Sequence, residues 1–139
     1  MTKKTEILDS GVNNYDAMMV ELKKPLDKAN VKSRVQGGST VSYIEGWHAI
    51  KEANTIFGFL DWERETIYLK EVCRYEYNGK HKVGFEAKVR ISVNGTMREG
   101  TGYGSGIAKD LYDAMESGAK ESETDAMKRA FMTFGSRFG

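Results

Sequence analysis

Two Asn-Gly dipeptides, at 78–79 and 94–95, constrain the fold of this chain more than any other feature of its sequence. Asn-Gly is the strongest short hairpin signal, because both central residues of the tight turn need positive φ. The segment between the two dipeptides alternates strictly, with apolar residues at Val83, Phe85, Ala87, Val89, Ile91 and Val93. Such alternation predicts a strand with one buried face and one face that is wet or meets a polar partner. We therefore predict an antiparallel meander of three strands, over 66–77, 82–93 and 96–103.

The segments on either side of the meander have helical spacing. One helix is predicted from Tyr15 to a kink or break at Pro25, and another from Glu45 to Gly58. A long helix is predicted from Lys109 to about Phe134. The predicted buried stripe of the second helix is Trp47, Ile50, Ala53, Ile56 and Phe57. That of the long helix is Leu111, Met115, Ala119, Ser122, Ala126, Ala130 and Phe134, which suits close packing on a sheet.

This element order favours an α+β fold, an antiparallel β-β-β meander packed on a long α-helix, over a parallel α/β sheet. A length of 139 residues predicts a single domain over 1–139, of which 1–12 are expected to be flexible. Between the first two helices, β-branched residues predict a strand over 40–44. The paired glycines at 37–38 predict that 32–38 is a mobile basic connector. The glycine-rich segment 102–106 is predicted to be a flexible turn that lets the backbone approach another element closely.

Composition and motif spacing argue against most kinds of enzyme. The glycine-rich segment before the long helix lacks a dinucleotide fingerprint, since Ile107 stands where a glycine is needed, and Lys109 is followed by aspartate rather than the Ser or Thr of a phosphate loop. His48, His81 and Cys73 are scattered, without metal-ligand spacing. The strand carboxylates alternate with cations, which is typical of a solvated face. They are Glu63, Glu65, Glu71 and Glu76. We predict no catalytic residue, no metal and no cofactor.

The cysteine count, the lengths of the apolar runs and the net charge limit where the protein is expected to act and what it is expected to bind. A single cysteine excludes an internal disulfide and favours a reducing compartment, and no apolar run is long enough to span a membrane. The start of the chain lacks the apolar stretch of a secretion signal. A net charge of +1 means that a polyanion must be met by a local patch rather than by bulk charge.

Cations cluster in several places that could form such a patch. Lys128 and Arg129 lie late in the long helix, where they could equally stabilise the helix C-terminus. Lys80 and Lys82 flank the first hairpin turn, where lysine is also an ordinary solvated residue. Together with Arg34 and the basic face of the central strand, these cations could form a groove for a phosphate backbone. The residue chemistry alone leaves nucleic-acid binding and ordinary solvated cations both open.

Five segments resemble the Rad52-type single-strand annealing family. They are Val41–Trp47 (VSYIEGW), Ala53–Trp62 (ANTIFGFLDW), Asn78–Gly84 (NGKHKVG), Gly102–Gly104 (GYG) and Glu121–Gly135 (ESETDAMKRAFMTFG). They occur in the family's order and at nearly constant spacing over 32–139. The resemblance implies a non-enzymatic protein whose β-β-β-α units close into a large ring. Single-stranded DNA lies in a positive groove around that ring, with its bases outward for pairing.

The resemblance also implies site residues. Those of an inner DNA groove are Arg34, Tyr43, Lys128 and Arg129. Met132 stands where the family has a further arginine, which Arg137 could replace. An outer DNA site is implied at Lys80 and, through a weaker match, at Lys109. Additional candidates for DNA contact are Lys82, Lys88, Arg90, Lys120 and Arg137.

The predicted function is therefore ATP-independent annealing of complementary single strands in homologous recombination and double-strand break repair. An oligomeric RNA-binding or structural interaction module without annealing activity is the alternative, and a nuclease is a more distant one. The expected partners are single-stranded DNA, further copies of the chain, and a recombinase or single-strand-binding protein; no membrane is expected. Because the chain stops at Gly139, a bacterial or phage minimal form and a truncated chain are both open. The minimal form would be cytoplasmic and nucleoid-associated.

Overall fold

The computed structural model of the chain describes residues 16–25, 31–36, 39–43, 45–135 and 138. Its elements in chain order are α1 (16–23), β1 (Lys32–Gln36), β2 (Ser39–Tyr43), α2 (Gly46–Phe57), β3 (Trp62–Tyr77), β4 (Lys80–Val93), β5 (Thr96–Ala108) and α3 (Leu111–Met132). Helices and antiparallel sheets that are segregated along the chain confirm the α+β class. Residues 1–12, expected to be flexible, lie outside the described part.

The central meander forms as predicted. Its strand order is β3-β4-β5, and both pairings are antiparallel. The two turns have positive φ at both central residues: 51° and 74° at Asn78 and Gly79, and 49° and 80° at Asn94 and Gly95. This geometry matches the right-handed twist of the flanking strands. The strands are longer than predicted, since β3 begins at Trp62 and β5 continues to Ala108.

Strand β3 contains two bulges. Ile67 and Val72 are extra residues that oppose no residue of β4, so the register shifts by one at each of them. Because side chains alternate between the two faces, each extra residue exchanges the faces for the rest of the strand. Tyr68 and Tyr75, seven positions apart, therefore lie on the same face of the sheet.

The inward residues of β4 form the floor of the core. All six apolar residues of the predicted alternation, from Val83 to Val93, are buried, while the residues between them are partly exposed. Helix α3 lies across this buried face, which we call the helix-side face. The predicted helix over 109–134 thus corresponds to α3, which begins and ends two residues inside those limits.

Strand β5 meets α3 through four glycines at alternate positions, Gly100, Gly102, Gly104 and Gly106. A Cβ atom on any of them would lie 1.9–2.4 Å from a backbone atom of α3. The helix contributes small buried residues to this contact, namely Ala114, Gly118, Ser122, Ala126 and Ala130. We call this contact the glycine seam. The prediction of a flexible turn over 102–106 is wrong, because the segment is the end of β5; the predicted close backbone approach is confirmed.

Helix α2 has the predicted bounds but a different buried face. It buries His48, Ala49, Glu52, Ala53, Ile56 and Phe57. Trp47 and Ile50, predicted to be buried, are 60% and 38% exposed. The helix begins close to α3, since a Cβ on Gly46 would lie 2.6 Å from Thr124 Cγ2. The buried face of α2 therefore runs through the small residues Ala49 and Ala53 and not through Trp47 and Ile50.

Residues 32–36, predicted as a mobile connector, instead form β1. This strand pairs antiparallel with β2, from Lys32 opposite Tyr43 to Gln36 opposite Ser39. The predicted strand over 40–44 corresponds to β2, apart from Ile44, which lies outside the described residues. The glycine pair 37–38 between the strands is also outside them.

An aromatic cluster joins α2, β3 and the C-terminal part of the chain. Phe131 and Phe138 are fully buried and stack with centroids 4.9 Å apart, and Phe138 stacks on Phe57 at 5.9 Å. Trp62 packs edge-on to Phe131 at 5.2 Å, and its indole Nε1 donates to Asn54 Oδ1 at 2.8 Å. Rings of this size bury the most apolar area per residue, so this cluster anchors the segment after α3 to the rest of the core.

The meander face that points away from α3 is called the open face. It carries Glu63, Glu65, Tyr68, Lys70, Cys73, Tyr75 and Tyr77 on β3, Lys80, Lys82, Gly84, Glu86, Lys88, Arg90 and Ser92 on β4, and Met97, Glu99, Thr101, Tyr103, Ser105 and Ile107 on β5.

Candidate nucleic-acid interface

Two of the predicted inner-groove residues lie in the β1–β2 hairpin. Arg34 is in β1, opposite Val41, and Tyr43 is in β2, opposite Lys32. They are therefore diagonal neighbours in one antiparallel pair of strands. Of these two strands, only the one that carries Tyr43 was predicted. The side chains of Arg34 and Tyr43 lie outside the described residues, so their role in a groove stays a prediction.

The other two inner-groove residues lie near the end of α3. Lys128 is partly exposed, and the Arg129 side chain is 60% exposed. Arg129 Nε donates to Asp125 Oδ2 at 3.1 Å, and the same oxygen accepts from the Tyr103 backbone N–H of β5 at 3.2 Å. Asp125 thus fixes one edge of the Arg129 guanidinium and leaves its remaining donors available to an anion.

The glycine seam holds this part of α3 rigidly. A Cβ on Gly100 would lie 2.4 Å from Ala126 O and 2.9 Å from the Arg129 carbonyl carbon. The helix backbone that carries Lys128 and Arg129 therefore rests directly on strand backbone. Such a contact leaves the helix backbone beneath the two cations little freedom to move relative to the sheet.

The two outer-site candidates lie at one end of the meander. Lys80 follows the Asn78–Gly79 turn and is opposite Tyr77. Lys109 follows the last β4–β5 pair, which joins His81 to Ala108. Lys80 immediately precedes His81 and Lys109 immediately follows Ala108, so the two lysines lie at the same end of the meander. Both are exposed. Asp110, next to Lys109, caps α3 by accepting from the Tyr112 backbone N–H at 2.8 Å, so the cap defines where Lys109 leaves the sheet.

Two of the additional candidates, Lys82 and Lys88, lie beside tyrosine rings on the open face. Lys82 Nζ is 6.0 Å from the ring centroid of Tyr75. Lys88 Nζ is 5.9 Å from the ring centroid of Tyr68. Because an aromatic ring attracts a cation without occupying its hydrogen-bond donors, both ammonium groups can still donate to a phosphate.

Arg90 and Lys120 are paired with carboxylates instead. Arg90 donates to Glu99 Oε2 through Nε at 3.0 Å and Nη2 at 2.8 Å. Lys120 Nζ is 2.6 Å from Glu116 Oε1, one helical turn away. A phosphate would have to compete with these acids, so the geometry favours Lys82 and Lys88 over Arg90 and Lys120. Arg137, the last additional candidate, lies outside the described residues.

A hydrogen-bonded cluster around the Glu86 carboxylate, at the centre of the open face, was not predicted. Glu86 accepts from the Tyr68 hydroxyl at 2.6 Å and the Tyr103 hydroxyl at 2.7 Å, and Lys70 Nζ lies 3.3 Å away. The Tyr68 and Tyr103 hydrogen bonds, with Lys70, lower the pKa of Glu86 from 4.5 to about 2. A signal for part of this cluster was present in the sequence. The second Asn-Gly turn fixes the β4–β5 register, and counting back from it pairs Glu86 with Tyr103.

Within the described residues, no group of three or more His, Cys, Asp or Glu side chains is arranged to hold a metal ion. The strand carboxylates that were weighed as a catalytic pair are exposed along β3, as the solvated-face interpretation predicted. His48 is buried in α2, with its Nε2 3.6 Å from Glu52 Oε1. No helix in the described part of the chain combines the length and apolar character needed to cross a membrane.

Comparison with known proteins identifies the family. A family model described as "Rad52/22 family double-strand break repair protein" matches residues 14–139, almost the whole chain. The chain belongs to the Rad52/22 family. The resemblance found in the sequence motifs is thereby confirmed, and it extends further toward the N-terminus than the motifs did.

Three of the curated relatives that this chain resembles come from fungi. The chain is 38% identical over 133 residues to the DNA repair and recombination protein RAD52 of Kluyveromyces lactis, which covers 94% of this chain and 30% of the relative. For RAD52 of Saccharomyces cerevisiae the identity is 35% over 131 residues, 91% of this chain and 28% of the relative. For rad22 of Schizosaccharomyces pombe it is 39% over 107 residues, 74% of this chain and 23% of the relative.

Two facts follow for this Rad52/22 member. The chain spans less than a third of the length of each of these relatives. The three relatives are named for DNA repair and recombination and come from fungi, so they give no support to the predicted bacterial or phage-infected cell.

Proposed function

We propose that this Rad52/22-family domain binds single-stranded DNA and anneals complementary strands during recombination and double-strand break repair. The observation that carries the proposal is the family match over 14–139. Its physical support is the Lys128–Arg129 pair, whose helix backbone rests on β5 at the glycine seam. Lysine and arginine bind phosphates without reading sequence, so complementarity is tested by base pairing alone. Pairing itself supplies the free energy, and no ATP hydrolysis is required.

We further propose that copies of the chain assemble into a ring. Within the described residues, β3 and β5 each pair on one side only, and exposed strand edges of this length favour pairing with another chain. Repetition around a ring would also turn a few cations per subunit into a continuous basic track, although the net charge of the chain is only +1. Native mass measurement with and without single-stranded DNA tests this, and a monomer at working concentration contradicts it.

Annealing is measured with two complementary labelled oligonucleotides, in EDTA and without nucleotide. The protein should accelerate duplex formation under these conditions and leave both strands intact. Strict dependence on ATP would contradict the proposal, and strand cleavage that EDTA abolishes would indicate a nuclease. A preference for double-stranded RNA, with no acceleration of annealing, would favour the RNA-binding or structural alternative. We also propose a recombinase or a single-strand-binding protein as a further partner of the protein.

The inner groove is tested by a salt series with three variants, Arg34→Ala, Lys128→Ala and Arg129→Ala. Each should weaken binding to all single-stranded sequences about equally and lower the slope of log K against log salt by roughly 0.7 per lost phosphate contact. Lys51→Ala, an exposed cation on α2, is the matched control and should change neither affinity nor slope. Wild-type slopes for all three groove variants in intact oligomers would show that the groove lies elsewhere.

The outer site makes a separate prediction. Lys80→Ala should slow the encounter with the second strand or with duplex DNA more than it weakens affinity for the first strand. Stopped-flow annealing with protein preloaded on one strand separates these two effects. If first-strand affinity and the second-strand encounter rate fall equally, Lys80 acts in the inner groove and not in a separate outer site.

A further inference from the structure

Charge divides the open face into two halves. The end near the Asn94–Gly95 turn carries three carboxylates, those of Glu63, Glu65 and Glu99, around Arg90. The other half carries four lysines and one carboxylate, that of Glu86, which is already engaged by Tyr68, Tyr103 and Lys70. The four lysines are Lys70, Lys80, Lys82 and Lys88. This basic half continues at the sheet end into Lys109.

Aromatic rings accompany the lysines on this half. Tyr75, Tyr77 and Tyr103 are 46%, 59% and 58% exposed, so their rings are accessible from solvent. The ammonium groups of Lys70 and Lys82 lie 5.2 Å and 6.0 Å from tyrosine ring centroids. Cation and ring thus lie side by side, an arrangement that could hold a phosphate and a base of the same nucleotide.

A row of short side chains crosses the sheet between the tyrosines. Cys73, Gly84 and Ser105 are directly opposite one another on the three strands. The bulge residue Val72 also reaches this row, since a Cβ on Gly84 would lie 3.9 Å from Val72 Cγ2. The rows on either side are Tyr75, Lys82 and Ile107, and Lys70, Glu86 and Tyr103. Because same-face residues along a strand are roughly 7 Å apart, the two walls are about 14 Å apart at their Cα atoms. The side chains between the two walls are shorter than those of the walls, so the basic half contains a shallow trough that runs across the strands, with Val72 at its β3 end.

We propose that this trough, together with Tyr77 in the row beyond its Tyr75–Lys82 wall, is a second contact surface for single-stranded DNA, on which bases stack against Tyr75, Tyr77 and Tyr103 while Lys82 holds a phosphate. Sheet faces that carry exposed aromatic residues stack unpaired bases in this way, and every base has a face that can stack. The positive charge of the basic half is complementary to a phosphate backbone, and the acidic half defines where the strand must leave the face. The inference rests on the proposed function, since it assumes that the chain binds single-stranded DNA.

The test uses the assembled protein and two labelled probes of equal length, an oligothymidylate and an abasic deoxyribose-phosphate strand. Tyr75→Ala with Tyr77→Ala should weaken binding of oligothymidylate by about ten-fold or more, because two stacking contacts are lost. Binding of the abasic strand and the salt slope should both stay at their wild-type values, because no phosphate contact is removed. Tyr75→Phe with Tyr77→Phe keeps the rings and should bind like wild type.

Met97→Ala is the matched control, since Met97 is 57% exposed on the acidic half of the same face. It should bind both probes like wild type. A second measurement replaces thymine by 5-iodouracil and maps photocrosslinks by mass spectrometry, with crosslinks expected at Tyr75, Tyr77 or Tyr103.

Three results would overturn the inference. The first is wild-type affinity of the double alanine variant for oligothymidylate, and the second is crosslinks confined to residues outside the open face. The third is a changed native mass of the variant, which would make the trough a contact between copies of the chain. Failure of the wild-type protein to bind oligothymidylate at all would instead contradict the proposed function itself.

Discussion

The two faces of β5 follow opposite rules. Toward α3 the strand presents four glycines, and a Cβ on any of them would overlap the helix backbone. Away from α3 the same strand presents Tyr103, Ser105 and Ile107, which are exposed. On the helix-side face, the room left by the α3 backbone determines which residues fit. On the open face, the side chains are limited only by what they contact.

This difference separates residues that maintain the fold from residues that are available for binding. On the helix-side face a single methyl group has no room, whereas on the open face a side chain can be exchanged without moving the backbone. Variants on neighbouring positions of one strand should therefore differ sharply in stability, and variants on the open face should report on interactions rather than on folding.

The largest effect is expected for Gly102→Ala. The added Cβ would lie 2.2 Å from Ala126 N, and neither backbone can yield without breaking the seam. We expect a loss of about 3 kcal/mol or more in the free energy of unfolding, measured by urea denaturation. Ser105→Ala, on the opposite face of the same strand, should change it by less than about 0.5 kcal/mol. Equal stabilities for the two variants would remove the contrast between the faces.

An intermediate effect is expected at the junction where β5 gives way to α3. Asp110 caps α3 by accepting from the backbone N–H groups of Tyr112 and Asp113. Asp110→Ala should cost about 1 kcal/mol of unfolding free energy, since the first turn loses its cap. Asp110→Asn should restore most of it, because asparagine caps about as well. A loss with asparagine equal to that with alanine would mean that charge, not capping, matters here.

The smallest effect is expected on the open face, where Glu86→Gln should change stability in a pH-dependent way. The pKa of Glu86 is lowered from 4.5 to about 2 by hydrogen bonds from Tyr68 and Tyr103, with Lys70 contributing. A lowered carboxyl pKa stabilises the folded state above about pH 4.5, and this contribution is lost as the pH falls toward 2. The stability difference between wild type and variant should therefore shrink over that range in urea titrations.

The tyrosine hydroxyls provide the control for this prediction. The hydrogen bond to Glu86 is the main reason that the pKa of Tyr103 is raised above 10.0, and the same holds for Tyr68. Ultraviolet titration of the Glu86→Gln variant should show these tyrosines ionising at lower pH than in wild type. An unchanged tyrosine titration would mean that the cluster does not persist in solution.

Much of the meander and α3 could be predicted, because their signals are local and mutually consistent. The Asn-Gly turns define where β4 begins and ends, and its alternation defines the buried face. The Glu86–Tyr103 pair also follows from counting back from the second turn. The contacts of Glu86 with Lys70 and Tyr68 of β3 do not, because Val72 shifts the register counted from the first turn and nothing in the local sequence marks it as extra.

Two errors had usable signals. The glycines of β5 recur at every second position from Gly100 to Gly106, which is the period of a strand and not of a turn. Two residues separate the end of β1 from the start of β2, and a Gly-Gly pair between strands is itself a hairpin signal. In both cases the individual glycines were interpreted as flexibility, although their spacing indicated regular structure.

The buried face of α2 could not have been derived from apolarity alone. Trp47 is more apolar than Ala49, yet Ala49 is buried and Trp47 is exposed. Which side of α2 is buried depends on how the helix packs against the rest of the core, and that packing is a tertiary property. The arrangement of Arg34 and Tyr43 relative to Lys128 depends in the same way on how distant segments pack, so the inner groove rests on the family resemblance.

The two bulges of β3 allow this strand to lose a residue without a change of surface. If Val72 were deleted, Glu71 and Cys73 would become neighbours on opposite faces, and they already lie on opposite faces, across from Phe85 and Gly84. Deletion of Ile67 would likewise leave Thr66 opposite Val89 and Tyr68 opposite Lys88. A relative that lacks one of these extra residues would therefore present the same surface on the same fold, and an alignment that places the gap elsewhere in the strand would misassign the face of every side chain in between.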